Sequence, residues 1–322
     1  MTAAVVPPQQ RWPDLFWSAP ELELRSSWRR ELPPDVCDEW QSFVAREPGV
    51  TAAVFVWDPV RLPRMAAFGA ELRQRLVAGD GLGLVRGAAA LGLDEEQQRC
   101  LYVALGCALG EPMLQYGRIY PVVDRGASYK TQSVPVSMTN AETAFHTDSS
   151  AVDVVPDFVG LLCEEPSARG GDSLVSNALR VHEVLRREAP EALVVLESPK
   201  VRDVVTPGTE KTRANLMRNR FPVFAPSARP GGVLFRYMRY WIEVGQEKAG
   251  MPLDAAELRA FDVLDELLAR PEHVVRFRLE KGDMLWVNNR VLAHNRTGYE
   301  DTPGNTRRLQ RMWIQVPGDA RP

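Results

Sequence analysis

The feature that most restricts the fold of this chain begins near residue 115. From there the sequence breaks into short apolar or alternating runs, each bounded by Gly, Pro, Asn or Asp. They fall at 134–138 (VPVSM), 157–164 (DFVGLLCE), 172–177 (DSLVSN), 231–238 (GGVLFRYM), 273–280 (HVVRFRLE), 283–289 (DMLWVNN) and 307–316 (RRLQRMWIQV). Alternation between turn residues predicts strands. Strands this short, with polar turns between them, favour a sandwich, barrel or jelly roll over a doubly wound parallel sheet. Two helical stretches interrupt them, at 178–188 and 254–270.

Upstream the pattern is helical. Pro33-Pro34-Asp35 marks a helix start that carries to about Arg46. Residues 63–78 place Met65, Phe68, Leu72 and Leu76 on one face behind Pro63. Residues 94–109 open on an acidic first turn, Asp94-Glu95-Glu96, which suits a helix N-terminus. A short apolar strand lies between the glycines of 79–87. The expected architecture is α+β: an N-terminal arm over 1–30, then one domain over 31–322, helical to about 114 and β-rich over about 115–316. Trp12, Phe16 and Trp17 of the arm are expected to cover the core or a partner subunit, so a homo-oligomer is compatible with the sequence.

Composition excludes several classes. The 322 residues are 45% hydrophobic and 25% charged, enough for a substantial core without staples. A net charge of −3 with interleaved acids and bases gives no reason to expect nucleic acid. Cys37, Cys100, Cys107 and Cys163 form no CxxC pair and read as reduced thiols. The N-terminus lacks a secretory pattern, and no stretch approaches the roughly 18 apolar residues of a membrane span. A soluble, cytoplasmic protein is the expectation.

Only four histidines are present, so each can be weighed. His182 sits within an amphipathic helix and His273 at a loop-to-strand junction; both read as structural. His146 differs, because Asp148 follows two positions later. On an extended backbone, residues i and i+2 point to one side, so this pair presents a nitrogen and an oxygen to one ion. His294, at the end of a second strand, completes two nitrogens and a carboxylate. Such a set leaves positions open and suits iron(II) oxygen chemistry. It also suits zinc with an activated water, so a zinc hydrolase remains an alternative.

The stretches FHTDSS (145–150), GGDSLVSN (170–177), GDMLWVNNRVLAHNRTGY (282–299) and RRLQRMW (307–313) occur together, in this order. With them the chain resembles the taurine dioxygenase/TfdA family, close to its clavaminate synthase-like members, over roughly 115–316. The resemblance implies a double-stranded β-helix (jelly-roll) core with flanking helices. It implies Fe(II) with 2-oxoglutarate and O2 as cosubstrates. His146, Asp148 and His294 match the metal ligands, which are also the catalytic centre. Arg311 matches the arginine that grips the distal carboxylate of 2-oxoglutarate. Arg307 matches a second arginine near the carboxylate bound to iron, with Arg308 competing for that place. Ser173 matches a hydroxyl, usually threonine, that contacts 2-oxoglutarate. A guanidinium suits a carboxylate because its fork pairs with both oxygens and keeps its charge. Related halogenases carry Ala or Gly at the carboxylate position, so Asp148 argues against halogenation. Hydroxylation of an unactivated C–H, with succinate and CO2 formed, is the leading outcome; desaturation and cyclisation stay open.

On the substrate side, residues 199–224 contain Arg202, Arg213, Arg218 and Arg220 with little periodicity, and read equally as a mobile lid or a charged surface loop. The run 235–245 (FRYMRYWIEVG), read as a core strand, turns Arg239 toward a substrate carboxylate or phosphate, with pairing to a surface acid as the other reading of Arg239. Asn140 and Glu142 stand just before the metal motif, where they can recognise an amino group. Together they point to a small polar metabolite such as a free amino acid or derivative. A catalytically inactive jelly-roll binding module is the remaining alternative, against which the full ligand set and Arg311 argue.

Overall fold

In the computed structural model the described residues are 7–124, 142–149, 154–204 and 210–317. The expected strand at 134–138 and Asn140 lie outside them. Three helices form the N-terminal layer: α1 (Pro34–Arg46), α2 (Pro63–Ala78) and α3 (Glu95–Leu109). Proline at the first turn opens α1 and α2, where its missing N–H costs nothing. Asp94 caps α3 by accepting from Gln97 N, and the Gln97 side chain accepts from Asp94 N in return. The expected face of α2 is the buried one, Met65, Phe68, Leu72 and Leu76. Gly69 lets α2 cross α3 closely, since a Cβ there would overlap Ala108.

Ten of the described strands frame the site: β1 (Arg29–Glu31), β2 (Leu82–Arg86), β3 (Glu111–Pro112), β4 (Tyr120–Val122), β5 (Phe158–Glu165), β6 (Ser173–Asn177), β7 (Val274–Phe277), β8 (Met284–Asn288), β9 (Leu292–Arg296) and β10 (Arg308–Gln315). The large sheet runs β1-β2-β8-β5-β10-β3, with β4 also on β10. Only its β1–β2 pair is parallel. The small antiparallel sheet runs β7-β6-β9.

The period-two alternation now acquires direction. Across the large sheet, Leu84, Leu285, Leu161 and Arg311 stand in register on one face. Trp286, Gly160 and Met312 share the other. That outer face packs with Tyr102, Leu105 and α2 in one hydrophobic cluster. The inner face shares a second cluster with Val175, Val275 and Leu292 of the small sheet. Behind the small sheet, Ala293 packs with Val181, Leu185, Phe261 and Leu264 of two helices, α4 (Ala178–Glu188) and α7 (Ala255–Ala269). Between these lie α5 (Pro190–Glu197) and α6 (Arg239–Ala249), which the sequence pattern did not reveal.

The arm joins this core. Leu15, Trp17, Leu22 and Trp28 enter the cluster between the sheets. Trp17 Nε1 donates to Asp80 O at 2.7 Å, and Asn177 Nδ2 donates to Leu15 O and Trp17 O. The described parts of 199–224 are anchored at their ends, while Arg213, Arg218 and Arg220 are exposed around the short helix Arg213–Arg218. Lys200–Val201 pairs with Arg220–Phe221, and Arg202 is fully buried, its Nη2 donating to Pro222 O and Arg236 O. The four cysteines are free, Cys100 and Cys163 buried. No helix among the described residues is long and apolar enough to cross a membrane.

Candidate active site

The His146–Asp148 segment is held to the edge of the small sheet by backbone bonds. His146 N donates to His294 O at 3.0 Å and His294 N donates to His146 O at 2.9 Å. The two histidines are thus direct antiparallel partners. Thr147 N donates to Tyr237 O at 2.8 Å, and Tyr237 N donates to Thr147 Oγ1 at 2.9 Å. Asn289, in the turn after β8, accepts from Asp148 N at 2.8 Å and donates to the carbonyls of Asp148 and Pro156. On either side Ala144 (φ 58°) and Ser149 (φ 55°) take left-handed backbone, uncommon for residues with a Cβ and typical of a segment fixed for function. The turn at Ala144 brings its carbonyl 3.0 Å from His146 Nδ1. That bond places the ring proton on Nδ1 and leaves the Nε2 lone pair outward.

Both Nε2 atoms face Asp148 Oδ1, His294 at 3.6 Å and His146 at 3.7 Å. Ligand atoms bound about 2.1 Å from one ion stand roughly 3.0–3.4 Å apart, so a few tenths of an ångström close this set onto a metal. The triad is the group of potential metal ligands found among the described residues. Burial, then the neighbouring His294, push His146 down to about 4, which keeps it neutral and able to ligate. Burial would raise Asp148, but His294, His146 and the Trp313 indole outweigh it and hold the carboxyl below its ordinary value. Arg311 Nη1 donates to Asp148 Oδ1 at 3.0 Å and Oδ2 at 2.8 Å, and Trp313 Nε1 donates to Oδ2 at 2.7 Å.

Beside the triad a cavity of about 700 Å3, counted with its open mouth, lies between the sheets. Leu161, Leu285, Val287 and Leu309 give it apolar walls, Arg296, Arg307 and Arg311 give it charge, and no carboxylate is among its described lining residues. Burial pushes Arg311 down to about 10 and Arg307 down as well. Arg307 Nη1 and Arg311 Nε are buried with no hydrogen-bond partner among the described residues. Two desolvated guanidiniums with unused N–H groups fit an anionic guest. The donor set and these orphaned groups together fit iron with 2-oxoglutarate.

Strand register gives the cavity its two ends. Val175 pairs with His294, whereas Ser173 pairs with Arg296, two residues farther along. That is about 6.6 Å from the metal end. Arg307 belongs to the far end, its guanidinium 5.0 Å from the Tyr299 ring. Arg311 belongs to the metal end through Asp148. The two guanidiniums therefore lie in the opposite order to the one expected, Arg311 beside Asp148 and Arg307 toward Tyr299. Arg308 faces outward, donating to Glu164 Oε2 at 3.0 Å and bonding Glu95, so it does not compete with Arg307.

The expected substrate residues fare differently. Asn140 is outside the described residues. Glu142 is exposed near the triad and accepts from Asn295 Nδ2 at 3.2 Å. Arg239 is a correction: β structure ends at Phe235, and Arg239 opens α6 instead of facing the cavity. Its guanidinium is engaged by Glu243, Asp262 and Asp265 at 2.7–2.8 Å. His182 lies 5.0 Å from the Phe224 ring, and His273 Nδ1 bonds Leu267 O at 2.7 Å; both are structural. Sequence reasoning missed Asn289 and Trp313. The signal for Trp313 was present, because it follows Arg311 by two residues on one strand and so shares its face.

Comparison with known proteins agrees with this geometry. The family model for taurine catabolism dioxygenase TauD, TfdA family, matches residues 47–313. FR-33289 synthase of Streptomyces rubellomurinus (strain ATCC 31215) is 28% identical over 318 residues, covering 93% of this chain and 88% of its own. A uridine-5'-phosphate dioxygenase from Streptomyces sp is 34% identical over 212 residues, 63% of this chain and 73% of its own. Among solved structures, asparagine oxygenase in complex with Fe(II), 2S,3S-3-hydroxyasparagine and succinate superposes with a TM-score of 0.66 at 18% identity, covering 91% of this chain and 98% of its own. The non-heme iron oxygenase OrfP with Fe and alpha-ketoglutaric acid superposes at 0.61 and 16% identity, covering 89% and 93%. At those identities the solved structures speak for the fold alone. The sequence match spans most of the chain, and the chain belongs to the taurine catabolism dioxygenase TauD, TfdA family.

Proposed function

We propose that this protein is an Fe(II)- and 2-oxoglutarate-dependent oxygenase that hydroxylates an unactivated C–H bond of a small polar metabolite. One observation carries the reading: a His/His/Asp set opens onto a cavity whose described lining residues include three arginines, Arg307 and Arg311 with unused N–H groups among them, and no carboxylate. His146, Asp148 and His294 hold the iron. Arg307 and Ser173 would hold the far carboxylate of 2-oxoglutarate, and Arg311, beside Asp148, would serve its other end. Iron(II) with 2-oxoglutarate supplies O2 activation coupled to oxidative decarboxylation, which yields succinate and CO2. The chain positions the two cosubstrate carboxylates, orients the ligand atoms and excludes water with the apolar walls between the sheets. Two facing sheets, with the metal histidines paired at the edge of the smaller one, support a jelly-roll core. Packing of the arm into that core supports a single domain.

For the substrate, the sequence relative uridine-5'-phosphate dioxygenase is named for a small polar metabolite. A free amino acid or related metabolite is our reading here too, with Glu142 placed to meet an amino group. The zinc hydrolase alternative leaves Arg307 and Ser173 without a purpose. Anaerobic addition of iron(II) and then 2-oxoglutarate tests the assignment and is expected to give a metal-to-ligand charge-transfer band. No band, together with zinc-dependent hydrolysis, would overturn it. Succinate release, screened across amino acids and phosphorylated metabolites, then identifies the substrate class.

A further inference from the structure

We propose that Trp313 is a positioning residue that makes Asp148 meet the metal through Oδ1 alone. The inference rests on the metal-site reading above and follows from counting lone pairs. An ionised carboxylate offers about four acceptor sites, two on each oxygen. Oδ2 receives Trp313 Nε1 at 2.7 Å and Arg311 Nη1 at 2.8 Å, which uses both of its sites. Oδ1 receives Arg311 Nη1 at 3.0 Å, which leaves one site. That site faces His146 Nε2 and His294 Nε2 at 3.7 and 3.6 Å. The metal is therefore offered three atoms and the rest of its sphere stays open for a chelating cosubstrate and O2.

Trp313 is suited to this task because an indole N–H donates and cannot accept, so it can face only a lone pair. The ring is 7% exposed. It is locked edge-on against Tyr116 at 4.9 Å and Tyr120 at 6.2 Å. Burial in that aromatic group fixes the direction of the N–H, where a flexible donor would follow the carboxylate. Removing it returns a lone pair to Oδ2 and frees the carboxylate to rotate or to bind through both oxygens.

Trp313→Phe keeps a ring between Tyr116 and Tyr120 and deletes only the donor. Titration of the full-length, metal-free protein with Co(II) is expected to show affinity weakened about tenfold, the scale on which groups behind metal ligands act. The d–d absorption of bound Co(II) is expected to change pattern as well. A Phe variant with the affinity and spectrum of the unsubstituted protein overturns the role of Trp313. Unsubstituted protein that binds no Co(II) overturns the metal site itself, which separates the two failures. Should the variant not fold, nitrogen-15 labelling of the eight tryptophans in the natural chain decides the matter. Diamagnetic Zn(II) should then move one indole N–H resonance far more than the other seven, and an unmoved set of eight overturns the proposal.

Discussion

Arg307→Met asks a question with two signs. In the protein without cosubstrate, Arg307 is 4% exposed, burial lowers its affinity for its own proton, and its Nη1 has no hydrogen-bond partner among the described residues. The Tyr299 ring 5.0 Å away recovers part of the lost hydration. A desolvated cation held in this way costs stability, and replacing it with an apolar side chain of similar length is expected to gain about 1–3 kcal/mol. At about 2 °C per kcal/mol for a domain of this size, the melting temperature of the cosubstrate-free variant should rise by about 2–6 °C. Binding moves the other way. Charge-assisted hydrogen bonds are each worth about 1.5–3 kcal/mol net, so loss of the fork should cost about 3 kcal/mol. With a tenfold change per 1.4 kcal/mol, the Kd for 2-oxoglutarate should rise about 100-fold. Thermal unfolding with and without 2-oxoglutarate, in the presence of redox-inert Zn(II), reads both signs. Calorimetric titration gives the Kd. The reasoning fails if Arg307→Met binds 2-oxoglutarate normally while Arg311→Met does not, since that result would return the distal carboxylate to Arg311.

Arg239→Ala should leave the KM for 2-oxoglutarate unchanged and lower the melting temperature, because Glu243, Asp262 and Asp265 lose their common partner; a raised KM would put Arg239 back in the site. Gly160→Ala should destabilise the protein by about 1–3 kcal/mol in chemical denaturation, since a Cβ there would overlap the Trp286 ring on the outer face of the sheet. Burial raises the thiols of Cys100 and Cys163 to about 12 and Cys107 to about 11, so none of the three forms a thiolate at pH 8 in the native state. A disulfide reagent at that pH should modify them only on unfolding, and rapid labelling of more than one thiol in native protein would contradict the burial described.

Much of this fold is written in periodicity. The helix at 63–78 follows from one apolar stripe, and β5, β8 and β10 follow from alternation between turn residues. The metal set was legible because i and i+2 share a side of an extended backbone. Other parts depend on what local pattern does not carry. Aromatic residues at Tyr237 and Tyr240 extend a strand-like run past Phe235, yet α6 begins at Arg239, held by acids from α7 far along the chain. The arginine roles could not be read from distance to His294. The chain leaves the metal at His294, passes Arg296 and Tyr299 at the far end, and returns along β10. It therefore meets Arg307 first at the far end and Arg311 last, beside Asp148. Spacing along the sequence does not give their distance from the triad because the path doubles back.

The backbone pairing of His146 with His294 has a thermodynamic consequence. In small zinc domains the ion gathers ligands from a disordered chain, and much of its binding free energy goes into ordering them. Here the two imidazoles are aligned by their own main chains, and Asn289 and Tyr237 fix the residues between and beside them. Little conformational entropy is left for the ion to remove. Metal loss and chain unfolding are thereby uncoupled, so the protein can release and reacquire its metal without passing through a disordered state.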